Sequence, residues 1–267
     1  MDFRGASAAS FAAVRAELDS VAAQGDLARV ADDLFTVAVM LRDEPALRRV
    51  ATDVSLRPEA KQGLVEEILG SRVSAGALAV VKTAVAQRWT ATRDLPNTLQ
   101  RVSEIAVVLS TEDADRLAHE VFAAGEVVRS NPELRDVLSD PARSTADKTA
   151  LVDQLFGAKV SPATSTLLKQ ALAGNYRTLN VALESYRQVV AEVNDRLVAT
   201  VRVAKSLSEA DQQRLTSALS GQYDRPVHLD VVVDPAVIGG LRVEIGHDVI
   251  DGTVAGRLDE ARRQLAG

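Results

Sequence analysis

Up to residue 197, apolar residues return every three or four positions, the spacing that gathers them on one face of a helix with 3.6 residues per turn. Phe11, Val14, Leu18 and Val21 form one such stripe, and Leu27, Val30, Leu34, Val37 and Leu41 form the next. Leu64, Val65, Ile68 and Leu69 predict the core face of a short helix ending near Gly70; Leu151, Val152, Leu155 and Phe156 do the same ahead of Gly157. Glycine suits a left-handed helix cap there, and Ser74 and Ser161 are placed to cap the helices that follow. Leu95, Leu99, Val102 and Ala106 continue the first set, and Leu183, Tyr186, Val190, Val193 and Leu197 make a long stripe leading out of the second. From Leu197 the period changes to two. Leu197 to Val203 alternates, Val227 to Val233 is β-branched, and Leu241, Val243 and Ile245 alternate with Arg242 and Glu244, all of which are strand signals. A helix opened by Ser208, with Leu215 and Leu219 inward, separates the first two strands. Gly239 and Gly240 read as a hairpin-like turn between the second and third. Val254, Leu258, Ala261 and Leu265 close the chain on one helical face.

Shifting the sequence on itself by 87 residues aligns Pro45–Trp89 with Pro132–Tyr176 without a gap. Fourteen of the 45 pairs are identical, against roughly one in fifteen expected from composition. The helical region is therefore a duplication. The reading is mainly α, with a duplicated helical bundle followed by a small β-α-β-β-α domain: residues 1–108 and 109–196 as the two helical copies, and 197–267 as the C-terminal α/β domain.

Composition then narrows the function. The 267 residues carry a net charge of −6, with 3% aromatic residues and no cysteine. A nucleic-acid binder draws its affinity from a basic surface, and no basic stripe is present. The lack of cysteine excludes disulfides, thiolate metal sites and a cysteine nucleophile. No window reaches the roughly 20 apolar residues that cross a bilayer, so membrane association is expected to run through partners.

The chemistry-bearing residues converge on no catalytic or cofactor site. A phosphate loop needs a glycine-rich turn opening a helix, and Gly239–Gly240 precedes a strand instead. His119, His228 and His247 lie far apart without ligand spacing. Asp234 before Pro235, and Asp251 before Gly252, have the form of turn residues bonding local backbone, with Thr253 as a helix cap. Trp89, matched by Tyr176 in the second copy, reads as a core or groove wall, the alternative being a partner hot spot. Lys61 and Lys148 read as charges on a helix surface.

The segment Val231–Arg257, VVVDPAVIGGLRVEIGHDVIDGTVAGR, resembles the C-terminal signature of the delta subunit of bacterial F-type ATP synthases, homologous to the mitochondrial oligomycin-sensitivity-conferring protein. Asp234, Pro235, Ile238, Gly239 and Gly240 match its Asp-Pro-x-x-Ile-Gly-Gly core, and Asp251, Gly252 and Thr253 its Asp-Gly-Ser/Thr element. Thr200–Ser208 (TVRVAKSLS) resembles the opening of the same domain. Asn131, Pro132, Glu133, Leu134, Lys148, Leu151, Phe156 and Asn175 are similar to the family's helical domain. The extra helical copy is the departure; it is similar to a long actinobacterial form, and the expectation is the unfused one, in which no membrane anchor is joined ahead of residue 1.

The resemblance implies a non-enzymatic peripheral-stalk subunit on the cytoplasmic face of the membrane. Its helical part would grip N-terminal segments of the alpha subunits, and its C-terminal domain the b-type stalk. The family's partner groove lies between the first and fifth helices. The nearest positions in the first copy are Phe11, Val14, Leu18, Leu95, Leu99 and Val102, which serve equally well to close a core. Two other classes stay open on the residues alone: a helical-repeat scaffold unrelated to a synthase, and a small hydrolase or transferase using the Asp234–Asp251 region.

Overall fold

The computed structural model describes residues 3–23, 25–195, 197–245 and 248–253. They form a mainly α structure in two compact units, residues 1–189 and 190–267. In order along the chain, the helices of the first part are α1 (Ala6–Ala22), α2 (Leu27–Asp43), α3 (Pro45–Thr52), α4 (Pro58–Leu69), α5 (Ala75–Ala86), α6 (Asp94–Leu109), α7 (Ala114–Ser130), α8 (Pro132–Ser139), α9 (Thr145–Phe156), α10 (Pro162–Ala173) and α11 (Leu179–Val193). Then come β1 (Leu197–Val203), α12 (Glu209–Tyr223), β2 (Val227–Val233), β3 (Leu241–Ile245) and β4 (Asp248–Asp251).

The duplication is reproduced element by element. Helices α2 to α5 and α7 to α10 begin and end at residues 87 apart. Their bonds repeat as well. Asp26 caps α2 through the Arg29 amide and Asp113 caps α7 through the Arg116 amide; Ser74 and Ser161 cap α5 and α10. The Asp33 carboxylate accepts from the Ser74 amide at 2.7 Å, and Glu120, its counterpart, from the Ser161 amide at 2.8 Å. The ion pair Lys82–Glu66 (2.8 Å) recurs as Lys169–Asp153 (3.0 Å). Matched sequence at matched spacing gives matched packing because the same side chains must reach the same helix ends.

Helix α6 belongs to both repeats. The 87-residue shift carries α1 onto α6 and α6 onto α11, so one helix ends the first set and starts the second. Its burial shows this double role. Thirteen of its sixteen residues are buried, including Gln100, Arg101, Ser103 and Glu104, because a helix packed on every side has no solvent face for its polar residues. Those polar groups are bonded. Gln100 Nε2 donates to Glu104 at 3.1 Å, the Tyr176 hydroxyl donates to Glu104 at 2.8 Å, and the Asn175 amide donates to Gln100 Oε1 at 2.9 Å. Gln170 Nε2 donates to Ser103 Oγ, which in turn donates to the Ala31 carbonyl of α2. Burial, only partly offset by Arg101 and these bonds, raises the Glu104 pKa.

Several sequence expectations change in detail. Gly70 and Gly157 stay right-handed, at φ −54° and −52°. Glycine is used there because a Cβ would stand 2.5 Å from the carbonyl oxygen of Glu66 or Asp153. The α4 face was placed correctly, yet Leu64 is 37% exposed and Leu151 half-buried, leaving Leu69, Val152 and Phe156 as the buried apolar members. Lys61 lies 5% exposed rather than on the surface. Trp89 is buried, with its indole N–H bonded to the Ala84 carbonyl, so it is a core residue.

In the second unit the sheet order is β2-β1-β3-β4, with β1 parallel to β2 and antiparallel to β3. Helix α12, capped by Ser208, makes the crossover between the parallel strands, as parallel pairing requires. Ala199, Val201 and Val203 of β1, with Val227, Val243 and Ile245, pack with Leu219 of α12. The connection from β2 to β3 is not a hairpin, because β1 lies between those strands. Leu197 starts β1 rather than extending α11. Strand β4 is an addition to the expected order. The closing stripe Val254, Leu258, Ala261 and Leu265 lies outside the described residues.

Candidate functional site

The signature residues of the second unit meet at one corner. After β2 the chain must cross the end of β1 to reach β3, and Asp234 starts the crossing by donating its amide to the Val203 carbonyl at 2.8 Å. Its carboxylate accepts from the Ala236 amide at 2.9 Å, an Asx turn that tightens the bend ahead of Gly239. Gly239 and Gly240 then take φ of +69° and +78°. At Gly240 a Cβ would lie 2.3 Å from the Gly252 carbonyl oxygen, so only glycine fits. Across from it, the Gly252 amide donates to the Leu241 carbonyl. Asp251 accepts from both the amide and the hydroxyl of the buried Thr253 (2.9 and 2.6 Å), bonds that hold its carboxyl below the ordinary range.

Two motifs eleven or more residues apart in sequence thus become a single lock. Its polar groups are spent on backbone and on each other, leaving no free acid–base pair. Outward the corner presents apolar residues beside the exposed Arg242 and Asp251. Ile238 is 71% exposed, and nearby in sequence Val233 and Val249 are 51% and 54% exposed. Exposed apolar residues gathered in this way have binding character.

The six positions named for a groove on the first copy are placed differently. Val14, Leu18, Leu95, Leu99 and Val102 are all 0% exposed. They form the wall where α1 meets α6, which is the burial of core residues; Phe11 alone is partly exposed, stacked on Phe3 at 5.1 Å. The contact is sealed by polar bonds that the stripe did not signal: Ser7 Oγ to Asp94 at 2.7 Å, the Thr90 amide to Ser7, and Ser10 Oγ to the Arg88 carbonyl.

Of the histidines, His119 is exposed, His228 stands 3.5 Å from Asp230 on β2, and His247 lies outside the described residues. Among the described residues no group of three or more His, Cys, Asp or Glu is arranged to hold a metal, and no helix is long and apolar enough to cross a membrane. Lys61 and the buried polar face of α6 were not legible as special. Their signal was weak: charged or amide residues within otherwise ordinary amphipathic stretches.

A duplicated helical bundle joined to a small mixed-sheet unit with a glycine-locked corner defines the class of protein, a helical repeat with a compact α/β unit. Residues 102–265 match the family described as ATP synthase delta (OSCP) subunit. The chain is 49% identical to ATP synthase subunit delta of Nocardioides sp. over 91% of its length and 89% of the relative. It is 38% identical to that of Thermobifida fusca over 99% and 100%, and 38% identical to that of Streptomyces coelicolor over 98% of each. A chain in the cryo-EM structure of the Toxoplasma gondii mitochondrial ATP synthase hexamer aligns with 62% of this chain and 95% of its own, at 22% identity and a TM-score of 0.35. The chain belongs to the ATP synthase delta (OSCP) family, the peripheral-stalk subunits of F-type ATP synthases. The unrelated-scaffold reading is set aside by that membership.

Proposed function

We propose that this chain acts without chemistry of its own, as the link that holds the catalytic head of an F-type ATP synthase to the b-type stalk at the cytoplasmic face of the membrane. In this reading the helical unit engages N-terminal segments of alpha subunits and the C-terminal unit engages the stalk. The observation that carries it is the family match over residues 102–265, which takes in the whole second helical copy and the locked corner together. Two units, each with its own apolar core, suit a connector whose ends grip different partners. A stator joint must also release slowly, which asks for at least nanomolar grip, about −12 kcal/mol.

The test uses the full-length chain carrying Gly240→Val. The branched side chain meets the Gly252 carbonyl and an unfavourable φ, so the corner opens while the helical unit is untouched. In separate pull-downs the variant is expected to keep the head and lose the stalk. Retention of the stalk, or loss of the head instead, overturns the assignment of roles. Saturable ATP binding by the purified chain in calorimetry would defeat the non-catalytic reading.

A further inference from the structure

Where α6 meets α11 the helical unit buries a polar cluster. Glu104 and Tyr186 are 0% exposed, Gln100 1% and Arg101 6%. Gln100 Nε2 donates to Glu104 Oε1 at 3.1 Å, and the Tyr176 hydroxyl lies 2.8 Å from Oε1 and 3.0 Å from Oε2. That hydroxyl has a second neighbour on α11, Ser185 Oγ at 3.1 Å. Arg101 Nη1 donates to the same Oγ at 3.1 Å and stands 3.5 Å from Glu104 Oε2. The Tyr186 ring meets that of Tyr176 edge to face, and its hydroxyl finds no partner among the described residues.

The first copy closes the equivalent contact, α1 on α6, without such a cluster. The 87-residue shift sets Ala13 against Gln100, Val14 against Arg101, Trp89 against Tyr176, Thr98 against Ser185 and Leu99 against Tyr186. Val14 and Leu99 are 0% exposed, and Trp89 spends its N–H on the Ala84 carbonyl. Glu17, in the place of Glu104, is only half-buried. The same pair of helices therefore packs with mostly apolar side chains, and a carboxylate buried at the contact adds a cost that packing alone does not ask for. What the second copy gains in exchange is a titratable group inside the joint.

We propose that the cluster is a proton-operated latch between the two copies, in which Glu104 takes up a proton and joins Tyr176 and Ser185 in one hydrogen-bond chain from α6 to α11. With Glu104 ionised, Tyr176 donates to the carboxylate and the charge stays buried. A proton from solvent placed on Oε2 reverses the first link. The carboxyl O–H then donates to the Tyr176 oxygen, 3.0 Å away, and Tyr176 turns its own hydrogen to Ser185 Oγ at 3.1 Å. Gln100 keeps its bond to Oε1, so hydrogens turn and the heavy atoms stay in place. Among the described residues, the charged and titratable groups that act on Glu104 are Arg101 on α6, Tyr176 in the α10–α11 connection and Tyr186 on α11; α2 and α10, packed on other sides of α6, supply none. Burial outweighs them and raises the Glu104 pKa, Arg101 being the largest opposing influence. The folded chain thus binds a proton that the unfolded chain has not yet taken. The latch tightens as pH falls through the folded-state value toward the ordinary 4.5, and loosens as pH rises. Because α6 ends one helical set and starts the next, its hold on α11 is the hold of one copy on the other. The latch lies within the helical unit and rests on no assignment of partners.

The test is hydrogen exchange read by mass spectrometry on the full chain, following the amides of α6 and α11 at about pH 8 and about pH 5.5, a range in which Glu120 stays ionised. Protection, corrected for the intrinsic dependence of exchange on pH, is expected to rise about tenfold in the wild type on acidification. Glu104→Gln carries a neutral group of the same shape and is expected to hold α11 equally firmly at both pH values, with circular dichroism checking that it folds. The histidines are common to both chains and cancel. Ser185→Ala removes the acceptor that Tyr176 needs in the protonated form while leaving Glu104 to titrate, and is expected to lose most of the rise. Wild-type protection that does not rise, an equal rise in Glu104→Gln, or an undiminished rise in Ser185→Ala each overturns the proposal.

Discussion

The two helical copies are built to one plan and finished differently. Both place a carboxylate on the second helix of the set to hold the amino end of the fifth. In the first copy Asp33 makes a single bond to the Ser74 amide. In the second, the longer Glu120 accepts from the Ser161 amide, the Ser161 and Thr164 hydroxyls and Arg116. Despite the cost of burial, those bonds hold its pKa at about 2. The apolar interiors differ as well: Leu138 and Phe156 stand where the first copy has Ala51 and Leu69, and Ala124 and Val128 where it has Val37 and Leu41. Duplication kept the backbone and the cap positions, and side-chain substitution then finished the two copies differently.

The sharpest way to break this comparison is to exchange the interiors. Leu138→Ala with Phe156→Leu gives the second copy the first copy's residues, and is expected to cost about 3 to 5 kcal/mol because the buried volume cannot fully collapse. The reciprocal Ala51→Leu with Leu69→Phe is expected to stay within about 1 kcal/mol of wild type. Urea midpoints for the helical unit check both. Equal losses would mean that the copies do not differ in packing.

The carboxylate clamps come next. Glu120→Gln is expected to lose about 2 to 3 kcal/mol at neutral pH, and Asp33→Asn about 1 kcal/mol. The pH dependence has a definite sign. Because the folded-state pKa of Glu120 lies below the ordinary 4.5, its contribution is complete above about pH 4.5 and fades as pH falls toward 2. Thermal melts of wild type and Glu120→Gln should therefore converge on acidification through that window. A gap that stays constant down to pH 2 would show that the clamp acts by shape and not by charge.

The smallest effect is expected at the repeated lysine pairs. Lys82 and Glu66 are 37% and 53% exposed, Lys169 and Asp153 44% and 45%. Exposed pairs of this kind contribute little, so Lys82→Ala and Lys169→Ala should each change stability by less than about 0.5 kcal/mol. A larger loss in either denaturation curve would mark that pair as part of something beyond an exposed surface contact.

Much of the fold was legible because periodicity is a local property. A stripe such as Leu27, Val30, Leu34, Val37 and Leu41 needs only its own helix to be read, and four of these five are buried at 4% or less, with Leu27 half-buried. The candidate groove was less legible. Val14, Leu18, Leu95, Leu99 and Val102 carry the same apolar signal whether a neighbour or a visitor covers them. Lys61 and Lys148 are equivalent in sequence, yet only Lys61 is buried; what separates them is the packing around each, which no residue type announces.

By itself the sequence determined the duplication, its 87-residue spacing, the helix caps at Ser74, Ser161 and Ser208, and the glycine pair that a left-handed turn requires, for each rests on residue type and separation along the chain. Only the tertiary structure decided that α6 serves both copies, since a shared helix is defined by what surrounds it. Only tertiary structure, too, placed β1 between β2 and β3, brought Gly240 against Gly252, and buried Lys61. Those outcomes depend on contacts between distant residues, and the free energy of such contacts is set by the shape and polarity of both sides at once.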